Sequence, residues 1–199
     1  DVVHSPIDAS RFAPAQQIGD YYLILARLQP YKRIDLAIGA CNRLRVPLHI
    51  VGDGPDRSRL QRLAGPTVHF LGRLPDDGVR WELACCRALL WPGEEDFGLA
   101  PLEAQASGRP VIAFRAGGAL ETIVDGTTGV FFAEPTVESL TGALDQFEDN
   151  FDPEILRQHA LSFDKTAFKK RMFELLDRRY LEHRRRLRDI PAGDSGHAG

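Results

Sequence analysis

Two glutamates, Glu95 and Glu103, stand in the stretch WPGEEDFGLAPLEAQASG with seven residues between them. A carboxylate accepts several hydrogen bonds and suits a vicinal diol. Pro92 and Gly93 turn the chain after an apolar run, Glu94 to Asp96 make a three-acid loop, and a helix is expected from near Gly98. Open amides at Gly98, Leu99 and Ala100 would attract phosphate or sugar oxygens. Pro101, having no N–H, is tolerated in that first turn, and Gly98 lets a ligand approach the backbone. Helical side chains lean toward the N-terminus, which aims Glu103 back at the same mouth. Glu103 then suits the diol of a ribose, and Glu95, outside the helix, the hydroxyls of a hexose. The plain alternative is that the acids only complement the helix dipole. Against it, three adjacent acids repel one another and capping needs one.

A second set is cationic. In ARLQPYKR, Arg27 and Lys32 flank the Pro30 turn. Such a pair can hold a diphosphate, arginine through its planar fork and lysine as a point charge; a solvated loop is the alternative. In VGDGPDR, Gly52, Gly54 and Pro55 make a tight turn, read either as simple turn chemistry or as an anion or ring site. It is not the dinucleotide fingerprint, because Arg57 stands where the third glycine would be. Arg73 and Leu74 follow Gly72 in a loop whose backbone could pair with a base, or be an ordinary loop. Gly117, Gly118 and Glu121 are read equally as close packing with a dipole-favoured acid. The six histidines are scattered without metal-ligand spacing, and His49 and His69 are expected as satisfied core residues. No nucleophile elbow surrounds Ser107. Cys85 and Cys86 end a helix and are read as packing residues.

These residues need a scaffold, and the periodicity supplies one. Apolar runs at YYLILAR, PLHIV, TVHFLG, RALLW, PVIAF and TGVFF alternate with helical patterns such as RIDLAIGACNRL. Strands separated by helices of about ten residues predict an α/β, doubly wound parallel sheet. Ligands of such a sheet sit at the carboxyl ends of the strands, where the order reverses. The loops after Ala26, Val51, Leu71, Trp91, Phe114 and Phe132 are therefore the expected site. Gly108 is the expected helix stop and Thr136 an N-cap. Residues 21–150 form the expected sheet domain, 1–20 a linker and 151–190 C-terminal helices. The polar stretch 191–199 is expected to be disordered.

The totals fit one domain of 199 residues with a net charge of −3, which argues against general nucleic-acid binding. Lys165 to Asp189 hold ten Lys or Arg against four Asp or Glu. Three cysteines, two adjacent, suit a reducing cytosol. No run approaches the roughly 18 apolar residues of a membrane helix. The N-terminus does not read as a signal peptide, and the chain opens as if in mid-protein.

Taken together, GEEDFGLAPLEAQASGRPVIAF, GGALETIVDG, ARLQPYKR, VGDGP and FLGRL resemble the C-terminal domain of family 4 retaining glycosyltransferases of the GT-B fold, over about Val2 to Asp164. Asp96, where many members carry glycine, is similar to the bacterial branch of GDP-mannose-dependent mannosyltransferases. The resemblance implies that Arg27 and Lys32 bind the donor diphosphate and that Glu95 contacts the transferred sugar. The amides of Phe97, Gly98 and Leu99 would hold sugar and phosphate, and Glu103 the ribose. Gly52, Gly54, Arg73 and Leu74 would surround the base. It implies front-face transfer with retention, in which the leaving diphosphate assists deprotonation of a glycan or lipid-linked acceptor, with no cofactor or metal. It also implies a missing N-terminal acceptor domain, so this chain alone is expected to bind nucleotide sugar weakly without turnover. Met172, Leu175, Leu176 and Tyr180 are expected on one face of the last helix. That helix would return to the N-terminal domain, or its basic end would touch acidic lipid at the inner face of the membrane. Rival readings are a UDP-sugar donor, a non-catalytic nucleotide-sugar module, and a dinucleotide-binding domain; the missing glycine fingerprint opposes the last.

Overall fold

The computed structural model describes residues 1–188. Six strands, β1 (Tyr22–Leu25), β2 (Leu48–Val51), β3 (Val68–Gly72), β4 (Ala88–Trp91), β5 (Val111–Phe114) and β6 (Gly129–Phe132), form one sheet in the order β3-β2-β1-β4-β5-β6. Every pairing is parallel. The chain winds outward from β1 to β3, then returns to β4 beside β1. The order reverses there, as the doubly wound reading requires.

Helices α1 (Ile34–Leu44), α2 (Arg57–Leu63), α3 (Asp76–Cys85), α4 (Ala100–Ala106), α5 (Ala119–Thr122) and α6 (Val137–Asp145) make the crossovers. Successive strand residues point to opposite faces. Tyr22, Ile24, Leu48, Ile50, Leu90 and Ile112 therefore pack with α1, α2 and α6, in a core that includes Ile34, Ile38, Leu60 and Leu140. Leu23, Val51, Leu89, Trp91 and Val111 pack on the other face with Leu83, Leu102 and Ala119. Thr136 caps α6 by accepting from the Ser139 amide at 3.2 Å. Gly108, at φ 72°, ends the segment after α4 in the left-handed conformation that favours glycine.

Two further helices follow, α7 (Pro153–Leu161) and α8 (Lys165–Arg188). Arg157 of α7 donates to the carbonyls of Phe12 (2.5 Å) and Ala106 (2.7 Å), tying the N-terminal segment to the end of α4. Buried Gln105 donates to the Thr122 carbonyl at 2.8 Å and meets His159 Nδ1 at 2.6 Å. Near the start of the chain, Ile7 bridges Asp164, and the Ala9 amide donates to the Asp164 carboxylate at 3.0 Å.

One expectation is made finer and one is corrected. The apolar residues expected on one face of α8 differ in burial: Met172 and Leu175 are half-buried, as is Phe168, whereas Leu176 and Tyr180 are 55% and 60% exposed beside Phe173 at 66%. Met172, Leu176 and Tyr180 follow one another at four-residue steps along the helix, so the face runs from covered to exposed. His49 and His69 also part. His49 stacks on Tyr21 (centroids 3.9 Å apart) and meets Glu82 at 2.9 Å, but His69 lies on the outer strand β3 and is exposed. The stretch 191–199 lies outside the described residues.

Candidate functional site

Three recesses open where the loops leave the carboxyl ends of the strands. The first lies between the loops after β1 and β4. Lys32 ends a short 3-10 turn (Pro30–Lys32), and its ammonium forms an ion pair with Glu95 Oε1. Both side chains are only 15% exposed. Lys32 is the charged partner that Glu95 Oε1 has in its buried position. The ammonium also lies 5.1 Å from the Trp91 ring and 5.2 Å from the Tyr31 ring. Burial pushes the Lys32 pKa down. The crevice beneath, lined by Ile24, Leu90, Trp91 and Gly93 among others, holds about 10 Å³ and is nearly filled.

The second recess is an open groove of about 380 Å³ lined by Leu25, Ala26, Arg27, Val51, Gly52, Asp53 and Arg73. Arg27 is exposed there, with Arg73 as a second cation. Leu74 is half-buried against the core and is not part of the groove lining. A depression of similar size, about 370 Å³, lies beside β6. It holds none of the candidate residues and no cation.

The third recess, about 80 Å³, is lined by Arg11, Phe12, Asp76, Val79, Arg80 and Glu103. Glu103 projects from the first turn of α4 into it. Burial pushes the Glu103 carboxyl above its ordinary pKa, partly offset by the Arg11 guanidinium. No described side chain hydrogen-bonds this carboxylate. Leu99 precedes α4, and the amides of Phe97, Gly98 and Leu99 donate no hydrogen bond among the described residues.

The glycines have packing roles. A Cβ on Gly52 would stand 1.9 Å from the Ala26 carbonyl oxygen, and one on Gly54 2.3 Å from that of Leu28. Their amides are also engaged, Gly52 to the Gly72 carbonyl and Gly54 to the Asp53 carboxylate. These glycines brace the Arg27 loop, and Gly52 also lines the Arg27 groove. Gly98, at φ 81°, has its vacant Cβ position 2.8 Å from the Trp91 indole, so a side chain there would meet the ring. Gly117 and Gly118 follow the packing reading. The Gly118 amide donates to the Glu95 carbonyl at 2.7 Å, and a Cβ there would lie 2.2 Å from Phe97 Cα.

Several residues of the site were not singled out from sequence. His4 stacks on Phe97 (5.0 Å, 6°) and meets Glu121 at 3.2 Å, while Phe163 covers Phe97 from another side. Gly93 lets the Tyr31–Lys32 backbone pass at a distance a Cβ would forbid. Trp91 lies under both Lys32 and Gly98. Only the apolar-to-Gly switch at Trp91-Pro92-Gly93 hinted at this in the sequence; His4 gave no local signal. Among the described residues no group of three His, Cys, Asp or Glu could hold a metal ion, and no helix is long and apolar enough to cross a membrane.

The raised pKa of Glu103 has a consequence for stability. A carboxyl raised in the folded state adds stability below its unfolded pKa and loses it as pH rises through the folded value. Glu103→Gln is therefore expected to melt above the parent chain at pH 7.5 and close to it at pH 4. Equal melting temperatures at pH 7.5 would contradict the burial argument.

A family model described as glycosyl transferases group 1 matches residues 9–187. The chain is 34% identical over 168 residues to the GDP-mannose-dependent alpha-(1-6)-phosphatidylinositol monomannoside mannosyltransferase of Mycolicibacterium smegmatis, covering 69% of this chain and 44% of that protein. It is 37% identical over 107 residues to a GDP-mannose-dependent alpha-mannosyltransferase of Corynebacterium glutamicum, covering 53% and 26%. Among solved structures, sucrose-phosphate synthase from Thermosynechococcus elongatus matches with a TM-score of 0.76 at 20% identity, over 92% of this chain and 53% of that one. Anabaena HepE in complex with UDP and glucose matches with a TM-score of 0.75 at 20% identity, over 89% and 56%. At that identity the structures establish the fold alone. The chain spans less than half the length of the two relatives.

Proposed function

This chain belongs to the glycosyl transferases group 1 family, and on that premise we propose that it is the donor-binding half of a retaining glycosyltransferase using a nucleotide sugar, GDP-mannose first. The observation that carries this reading is the Lys32–Glu95 ion pair between the loops after β1 and β4, where the strand order reverses. A cation and a sugar-binding acid held in contact suit the junction of a diphosphate and the sugar it carries. Arg27, in the neighbouring groove, adds a bidentate donor for the same phosphates.

In the reaction, the bond from the sugar C1 to the diphosphate oxygen breaks, and a bond from C1 to the acceptor hydroxyl oxygen forms on the same face. The acceptor proton passes to a diphosphate oxygen. Negative charge grows on the leaving oxygen, and Lys32, Arg27 and the open amides of Phe97 to Leu99 stabilise it. Glu95 orients the sugar hydroxyls and Glu103 the ribose. The GDP-mannose assignment is supported by the two mannosyltransferase relatives. A UDP-sugar is the second reading, favoured by the fold neighbour held with UDP and glucose. The acceptor is a glycan or lipid-linked saccharide, built at the cytosolic side, with the acceptor domain supplied by the rest of the enzyme. A peripheral membrane contact through α8 fits its exposed Phe173, Leu176 and Tyr180 among basic residues.

The test compares this chain alone with an enzyme in which an acceptor-binding half precedes it. Each is given GDP-mannose or UDP-glucose, and product is followed with its anomeric configuration. The longer enzyme is expected to transfer mannose with retention and the chain alone to give none. Transfer by the chain alone, an inverted product, or preference for UDP-glucose would each remove the corresponding part of the proposal.

A further inference from the structure

Glu103 has a neighbour whose role nothing so far explains. Arg11 closes a short 3-10 turn (Ala9–Arg11) that is fixed on both sides. The Ala9 amide is held by Asp164, and the Phe12 carbonyl accepts from Arg157. The turn therefore cannot drift, and it places the Arg11 guanidinium on the wall of the Glu103 recess. There Arg11 meets Asp76 of α3 at 2.5 Å across the mouth of the pocket. Arg11 is 47% and Asp76 77% exposed, so as a surface pair they add little stability. A bridge of small stabilising value, beside a half-buried carboxylate with no hydrogen-bond partner, calls for another account.

We propose that Arg11 is a positioning residue that keeps Glu103 ionised in its pocket, so that the carboxylate can accept both hydroxyls of a vicinal diol. The inference rests on Glu103 being the ribose acceptor. A neutral carboxyl would present one donor and lose part of its acceptor capacity, and a diol needs acceptors. Burial works against the ionised form, and Arg11 supplies the opposing field. The other charged groups lining the recess are Asp76 and Arg80, both of α3. Arg80 is engaged with Asp77, and Asp76 acts on Glu103 with the opposite sign to Arg11. α4 itself carries no other titratable side chain.

The test is calorimetric titration of the chain with GDP and with 2′,3′-dideoxy-GDP between pH 5 and pH 8. The parent chain is expected to lose GDP affinity in acid as Glu103 takes a proton, and the dideoxy nucleotide to lack that loss. Arg11→Gln is expected to move the acid loss to higher pH, leaving affinity at pH 8 within about threefold. Arg11→Lys restores it. Asp76→Asn moves the loss downward. That opposition of sign separates an electrostatic role from a bridging one, since either substitution breaks the bridge. Glu103→Gln tests the premise, with an expected loss of about 10- to 100-fold for GDP and little for the dideoxy nucleotide. If Glu103→Gln treats both nucleotides alike, the ribose assignment falls and Arg11's role with it. If Glu103→Gln behaves as expected but Arg11→Gln leaves the acid loss in place, or both bridge variants shift it the same way, the role of Arg11 alone is overturned.

Discussion

Replacing Lys32 by alanine in an enzyme with both halves is expected to lower the rate of sugar transfer by about 10²- to 10³-fold, the usual size for one donor aimed at developing charge. Two losses combine. The leaving diphosphate loses a cation, and Glu95, only 15% exposed, loses its counter-charge. An unpaired carboxylate in that position will turn toward water and abandon the sugar. Lys32→Arg should not rescue, because the crevice of about 10 Å³ has no room for a guanidinium plane. Pairing Lys32→Ala with Glu95→Gln should cost less than the sum of the two, since each single change already breaks the same contact. The readout is kcat and KM for the donor. A Lys32→Ala enzyme within about threefold of the parent would remove Lys32 from the mechanism.

Gly52→Ala is expected to destabilise the chain by roughly 4 kcal/mol or more, near the top of the range for point substitutions. Two causes act together. At φ 129° the backbone is in a region L side chains rarely adopt, and the new Cβ would lie 1.9 Å from the Ala26 carbonyl oxygen. The obstruction is backbone, with no flexible side chain to swing aside. For a chain of this size the corresponding fall in melting temperature is about 10 °C or more. Gly126→Ala is the control: φ is 71° but no atom lies within 4 Å of the new Cβ, so only the conformational cost of about 1 kcal/mol applies. Urea or thermal unfolding of the three proteins decides the matter, and a Gly52→Ala chain melting with the Gly126→Ala chain would show the loop to be yielding.

The fold was legible because short apolar runs alternate with helical patterns along the chain. YYLILAR is a short apolar run and RIDLAIGACNRL carries its apolar residues at helical spacing, and that difference separates β1 from α1. The ends of the helices were legible where chemistry marks them, as at Thr136 and Gly108. The candidate acids and cations were visible as well, because charge at the end of an apolar run is conspicuous. What sequence could not give is which loop lies against which. Gly52 and Gly54 look like ligand-facing turn residues until the Ala26–Leu28 backbone is found filling the space their side chains would take. Gly117 and Gly118 lie more than twenty residues from Glu95, yet they set its position through a backbone hydrogen bond. His4 and Arg11 come from the start of the chain and touch elements at least 65 residues away, and no local pattern announces such a contact. The exposure of Leu176 and Tyr180 on α8 was hidden for a related reason: an apolar residue states its preference for burial and says nothing of whether a neighbour will stand over it.

The bridge between Ile7 and Asp164 brings together residues 157 positions apart, and Asp8 is tied to Lys165 at the same corner. Everything from β1 to α7 is thus a closed circuit that begins and ends at one neck. Such a segment can be spliced into a host chain as a cassette, because both covalent connections depart side by side. It can equally be re-cut. A short link across the neck, with new ends opened at the surface turn between α2 and β3, would preserve all five parallel strand pairings while leaving the central strand β1 and its neighbour β2 to be made last.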